Sequence, residues 1–156
     1  MHEKFRHYTE ALHPKFEALV SQPPVTTGIL PPEIKGPGVY MFSEGGTNLY
    51  VGRTRNVRAR YGQHTRLSSG HNSAPFAFKL ARQMTGYIKA EYKAGEMSRP
   101  GLLLNAEFAA AFQQSLERIK RMDFRFVEEA DPTRQCLLEV YASVVCGSPY
   151  NDFNTT

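Results

Sequence analysis

Gly38-Val39-Tyr40-Met41-Phe42-Ser43-Glu44-Gly45-Gly46-Thr47-Asn48-Leu49-Tyr50-Val51-Gly52 reads as a tight β-hairpin. Two short runs of β-branched and aromatic residues flank a Glu-Gly-Gly turn, whose glycines reach positive φ at no steric cost. The strands are expected at about residues 39–43 and 47–52. With the turn centred on Gly45, Tyr40 would stand directly opposite Tyr50. Both rings would then project from one face, and Val39, Met41, Leu49 and Val51 would line the other.

An arginine-rich helix is expected next, at about residues 56–66, with Thr54 or Asn56 as N-cap. On it Arg60 and His64 are four residues apart and share a face. Residues 45–90 contain no Asp or Glu, but hold Arg53, Arg55, Arg58, Arg60, Arg66, Lys79, Arg82 and Lys89. The net charge is +4, and these eight of the 19 basic residues leave 11 to face all 15 acidic residues elsewhere. Charge segregated in this way favours a polyanionic partner over mere solubility. Paired phenols at its edge, Tyr40 and Tyr50, suit a site that grips a phosphodiester and attacks it.

Working outward, residues 3–20 carry an apolar stripe of Phe5, Tyr8, Leu12, Phe16 and Val20 at helical spacing, which Pro14 breaks or kinks. Pro23, Pro24, Gly28, Pro31 and Pro32 make an irregular connector. Downstream, residues 74–94 are expected to be partly helical, weakened at Gly86, and residues 96–101 to form a loop. A helix is expected at 105–122, a short strand at 123–127, and a helix at 132–146 with Asp131 as N-cap and Pro132 in its first turn. The order predicts an α/β (α+β layered) fold: a small, mostly antiparallel three-stranded sheet containing the hairpin, covered by helices. Residues 1–35 form an N-terminal helix and connector, and 36–156 the main domain.

The 156 residues suffice for one domain with a core, and 41% apolar and 22% charged content is that of an ordinary globular chain. The longest apolar run, Val140 to Cys146, is too short to span a bilayer, and no secretory signal is visible, so a cytoplasmic location is the default expectation. Cys136 and Cys146 lie in one expected helix about 15 Å apart, too far for a disulfide. His2, His7 and His13 lack the spacing of a metal set, and Phe76, Phe78 and Phe108 read as core.

Glu139 is the one charge between residues 135 and 146. It reads either as a solvated residue on an amphipathic helix or as a carboxylate held near the hairpin to bind Mg²⁺, a hard ion that prefers oxygen. Arg60 and His64 could clamp a phosphate and handle a proton, or merely decorate a basic helix. Tyr40 and Tyr50 alone could simply cover a core, since a phenol of pKa near 10 is a poor base at neutral pH.

Taken as an ordered set, Gly38-Val39-Tyr40, Tyr50-Val51-Gly52, Arg60, His64, Glu139 and Asn151 resemble the GIY-YIG nuclease superfamily over about residues 36–153. The resemblance implies a single-metal endonuclease acting on DNA, with RNA left open. It makes Glu139 the ligand of Mg²⁺ or Mn²⁺, Tyr40 the general base or orienter of water with help from Tyr50, and Arg60 the partner of the scissile phosphate. It places His64 at the proton or the phosphate, and Asn151 as a brace. Arg53 would contact phosphate, and Arg55, Arg58 and Arg66 are further candidate nucleic-acid contacts. Valine replaces isoleucine in both tripeptides, and residues 67–121 stand as a helical insertion. The alternative is a nucleic-acid-binding module of the same fold that does not cut.

Overall fold

The computed structural model describes residues 1–87, 95, 96 and 98–153. The elements run α1 (Glu3–Thr9), α2 (Leu12–Ser21), β1 (Gly38–Glu44), β2 (Thr47–Thr54), α3 (Val57–Thr65), α4 (Pro75–Thr85), α5 (Arg99–Leu104), α6 (Ala106–Lys120), β3 (Asp123–Glu128) and α7 (Pro132–Cys146). Two compact units result: Met1–Arg60 with Met122–Thr156, and Tyr61–Arg121.

The first unit holds an antiparallel sheet in the order β2-β1-β3, as the α/β expectation has it. The hairpin turn is Gly45-Gly46, with φ of 58° and 80°, the doubly positive pair that a two-residue turn needs to match strand twist. The pairing differs from the expected register. Glu44 faces Thr47 and Ser43 faces Asn48, but Phe42 faces Tyr50, so a bulge at Leu49 slips the ladder by one residue. The two-residue turn shifts the expected register by one and the bulge by one more, so Tyr40 pairs with Gly52 rather than with Tyr50. The two tyrosines still share a face, as diagonal neighbours with ring centroids 6.4 Å apart.

The opposite face is greasy. Val39, Met41 and Val51 form one buried cluster with Leu19 of α2 and Leu138 and Ala142 of α7, extended by Leu12, Phe16 and Val20. Truncating any of its large members to alanine would cost about 2–5 kcal/mol. This packing puts α2 and α7 against the hairpin and makes the N-terminal segment part of the same unit as the sheet. The connector contributes as well, because Val25 and Phe124 exchange backbone hydrogen bonds of 2.8 and 2.9 Å at the outer edge of β3.

Two helical expectations are corrected. The stripe at residues 3–20 is two helices, broken at Glu10-Ala11, and Pro14 sits in the first turn of α2, where its missing N–H costs nothing. The loop expected at 96–101 contains the start of α5, because Ser98 caps it by accepting from Gly101 N–H at 3.1 Å and Pro100 fits the first turn. α4 stops at Thr85, where Gly86 takes a left-handed φ of 80°, and residues 88–94 of that expected helix lie outside the described residues. In the second unit α4 packs on α6 through Phe78, whose ring lies 5.0 Å from that of Phe108, and Phe76, Phe78 and Phe108 are buried. Among the described residues no helix is long and apolar enough to cross a membrane.

Candidate functional site

The polar face of the hairpin is built on an aromatic base. Tyr40 is almost wholly enclosed, stacked on Phe124 at 5.9 Å and edge-on to Phe42 at 5.9 Å. Both tripeptide glycines serve close approaches. A Cβ at Gly52 would lie 2.2 Å from Tyr40 Oη, and one at Gly38 would lie 2.1 Å from the Val127 carbonyl oxygen. Gly52 is thus the cradle across which the Tyr40 ring lies.

α3 delivers Arg60 to this ring. Asn56 caps the helix by accepting from Ala59 N–H at 3.1 Å, and Val57 N–H donates to Gly36 O at 3.0 Å, which fixes the helix start beside the root of β1. Arg60 Nε donates to Tyr40 Oη at 3.2 Å, and its guanidinium also hydrogen-bonds Tyr50. Burial pushes both phenols above their ordinary pKa; Tyr50 raises Tyr40 further, Glu139 raises both, and Arg60 pulls both in the other direction. Tyr40 therefore holds its proton at neutral pH, and its oxygen is an acceptor aimed at Arg60.

α7 delivers Glu139, whose carboxylate is close enough to raise both phenols electrostatically and to stabilise the charge on Arg60. Desolvation lifts its own pKa above the ordinary carboxylate value, against the pull of Arg53 and Arg60. Arg53 Nε meets Glu139 Oε2 at 3.0 Å. Asn151 does not reach into this group of side chains. It sits on the free edge of β2, where Oδ1 accepts from Val51 N–H at 2.8 Å and Nδ2 donates to Val51 O at 2.7 Å. A single side-chain amide thus replaces a neighbouring strand at the residue between Tyr50 and Gly52.

Tyr40, Tyr50, Arg60, Glu139 and Arg53 accordingly come together, with Asn151 behind them. His64 lies one helical turn beyond Arg60, buried, in the second unit. Arg66 also belongs to that unit, and its guanidinium lies over Gly62. Arg58 is committed to the connector: Nη1 donates to Pro31 O at 2.9 Å and Ile34 O at 3.0 Å, and Nη2 to Leu30 O at 3.3 Å. Arg55 is exposed and lines a groove with Arg53. Sequence reasoning missed the Arg53–Glu139 pair, since no spacing rule links residues 86 positions apart. It also left Gly52 without a role, although a glycine in a strand is itself a signal of close backbone approach.

Among the described residues, Glu139 is the carboxylate whose charge acts on both phenols. Among the described residues no group of three or more His, Cys, Asp or Glu could hold a metal. A lone carboxylate is a donor of the kind Mg²⁺ takes, since that ion keeps its waters and is often bound by one or two carboxylates plus substrate phosphate. It does not suit a resident tetrahedral metal.

The chain is similar to UvrABC system protein C of Hyphomonas neptunium, with 33% identity over 91 residues, which is 58% of this chain and 14% of that protein. The chain thus matches about one-seventh of the length of this curated relative. No family model and no solved structure matches the chain.

Proposed function

We propose that this chain is a metal-dependent endonuclease of the GIY-YIG kind, hydrolysing phosphodiester bonds in DNA. The observation that carries the reading is the meeting of Arg60, a buried phenol, a half-buried phenol and a desolvated carboxylate on the hairpin. The partial similarity to UvrABC system protein C supports it. A non-cleaving binding module would need the arginines, but has no use for a carboxylate placed beside two raised phenols.

In this reading Arg60 bridges the phenols and presents its guanidinium to a scissile phosphate, a contact that stays charged at any working pH. Tyr40 and Tyr50 orient water through their oxygens. Neither takes a proton unaided, because both are held above pKa 10. A divalent ion held by Glu139 would supply Lewis-acid polarisation of the phosphate and acidify water in the site. Glu139 holds such an ion more readily as its contact with Arg53 loosens. Asn151 keeps the Tyr50-Val51-Gly52 backbone from fraying at the sheet edge.

A time course on supercoiled plasmid and labelled single-stranded DNA in Mg²⁺, Mn²⁺ or EDTA tests the proposal. Cleavage is expected with metal and lost in Glu139→Ala, with DNA binding largely kept. Arg60→Ala is expected to lower the rate at least about 10²-fold, as for one lost transition-state charge contact. Wild-type cleavage by Glu139→Ala would sink the assignment. Salt-sensitive binding without any cleavage would leave the binding-module reading in its place.

A further inference from the structure

Arg53 touches two things at once. Its Nε is 3.0 Å from Glu139 Oε2, and its side chain lines a groove of about 510 Å³ beside that carboxylate. The other walls are Pro37 at the root of β1, Thr54 and Arg55 at the end of β2, Ala130 and Pro132 around the start of α7, and Gln135. Gln135 precedes Glu139 by one helical turn, about 6 Å along α7, and its Nε2 is tied to Glu129 O at 2.5 Å. None of the lining residues is acidic, two are arginines, and the prolines and alanine give apolar walls that suit a sugar or base. The pull on an anion comes from the arginines and not from the helix end, because Asp131 already caps α7 by accepting from Arg134 N–H at 2.8 Å.

We propose that Arg53 is a positioning residue with two places: without a strand it neutralises Glu139, and with a strand in the groove it turns to a backbone phosphate and frees Glu139 for a divalent ion. This rests on the reading of Glu139 as the carboxylate for that ion. The groove is then the subsite for the nucleotide flanking the scissile phosphate. Strand binding and metal binding become coupled, each strengthening the other by the same factor. The coupling is modest, because the Arg53 side chain is 46% exposed and pairs of that kind are weak. The expected factor is roughly two- to fivefold, the range of an exposed pair.

Two binding measurements test this without cleavage. The first is fluorescence anisotropy of a labelled 12-nucleotide single-stranded DNA in EDTA, for wild type, Arg53→Gln, Glu139→Gln and the double variant. Glu139→Gln is expected to bind roughly two- to fivefold tighter than wild type, and to lose that gain in the Arg53→Gln background. A gain that persists without Arg53 would mean simple relief of repulsion and would overturn the proposal. The second is Mn²⁺ binding to the protein alone, read by electron paramagnetic resonance. Arg53→Gln is expected to bind Mn²⁺ roughly two- to fivefold tighter than wild type. Mn²⁺ affinity that depends on Glu139 but not on Arg53 would overturn the two-place role alone. Mn²⁺ affinity unmoved by Glu139→Gln would overturn the metal reading of Glu139 and this inference with it.

Discussion

At the scale of single residues, Gly52 and Tyr40 behave as one object. A methyl at residue 52 would stand 2.2 Å from Tyr40 Oη and 2.3 Å from its Cζ. The ring cannot retreat cheaply, because Phe42 and Phe124 hold it from other sides and it is nearly fully buried. Gly52→Ala is therefore expected to destabilise the fold by about 1–3 kcal/mol, the usual cost of overpacking. The effect should appear as a lower urea midpoint with an unchanged slope. The variant should also move the phenol off Arg60 and slow any cleavage beyond the loss of folded protein. A wild-type midpoint would show that the ring yields freely and that the glycine has no packing role. The same logic covers Gly38, which the Val127 carbonyl oxygen approaches. The two glycines of the tripeptides thus answer to crowding, since neither is among the glycines with positive φ.

At the scale of elements, the exposed edge of β2 is closed by Asn151, which gives the backbone of Val51 both a donor and an acceptor. Val51 pairs with Met41 at a position where its own N–H and C=O point away from β1, so Asn151 is the partner they find. Asn151→Ala is expected to cost about 1–2 kcal/mol for two lost bonds at a half-exposed site. It should also speed amide exchange at Val51 more than at β1. Equal exchange at Val51 in both proteins would show that water serves the edge as well. The hairpin itself was legible, because Gly45-Gly46 is strong turn chemistry and its flanks alternate. Its register was not, because the bulge at Leu49 has no local signal in the sequence. The sequence of α5 reads as a loop although Ser98 and Pro100 form a cap-and-proline signature like that of Asp131 and Pro132, because the six-residue length and Gly101 obscure it. Arg60 and His64 share a helix face in sequence as in structure, yet the chain divides into units between them, a tertiary fact that helical spacing does not contain.

At the scale of the whole molecule, the acid-free stretch is shared between the two units. Arg53, Arg55, Arg58 and Arg60 close the first, and Arg66, Lys79 and Arg82 belong to the second. The structure sorts these charges by use. Arg58 spends its guanidinium on three connector carbonyls, Arg60 on the phenols and Arg53 on Glu139, whereas Arg55 stands exposed at the groove. A strand that engages Arg53, Arg55 and Arg60 of the first unit should release counterions in proportion. The slope of log K against log[salt] for single-stranded DNA is then roughly −2, at about −0.7 per phosphate neutralised. Arg55→Glu should weaken binding and flatten that slope by about one contact or more. Lys4→Glu makes the same change of net charge on α1, outside the stretch, and should leave the slope as it was. Equal effects from the two reversals would mean that only the overall charge of +4 attracts the polyanion. The segregation seen in the sequence would then have no counterpart in binding.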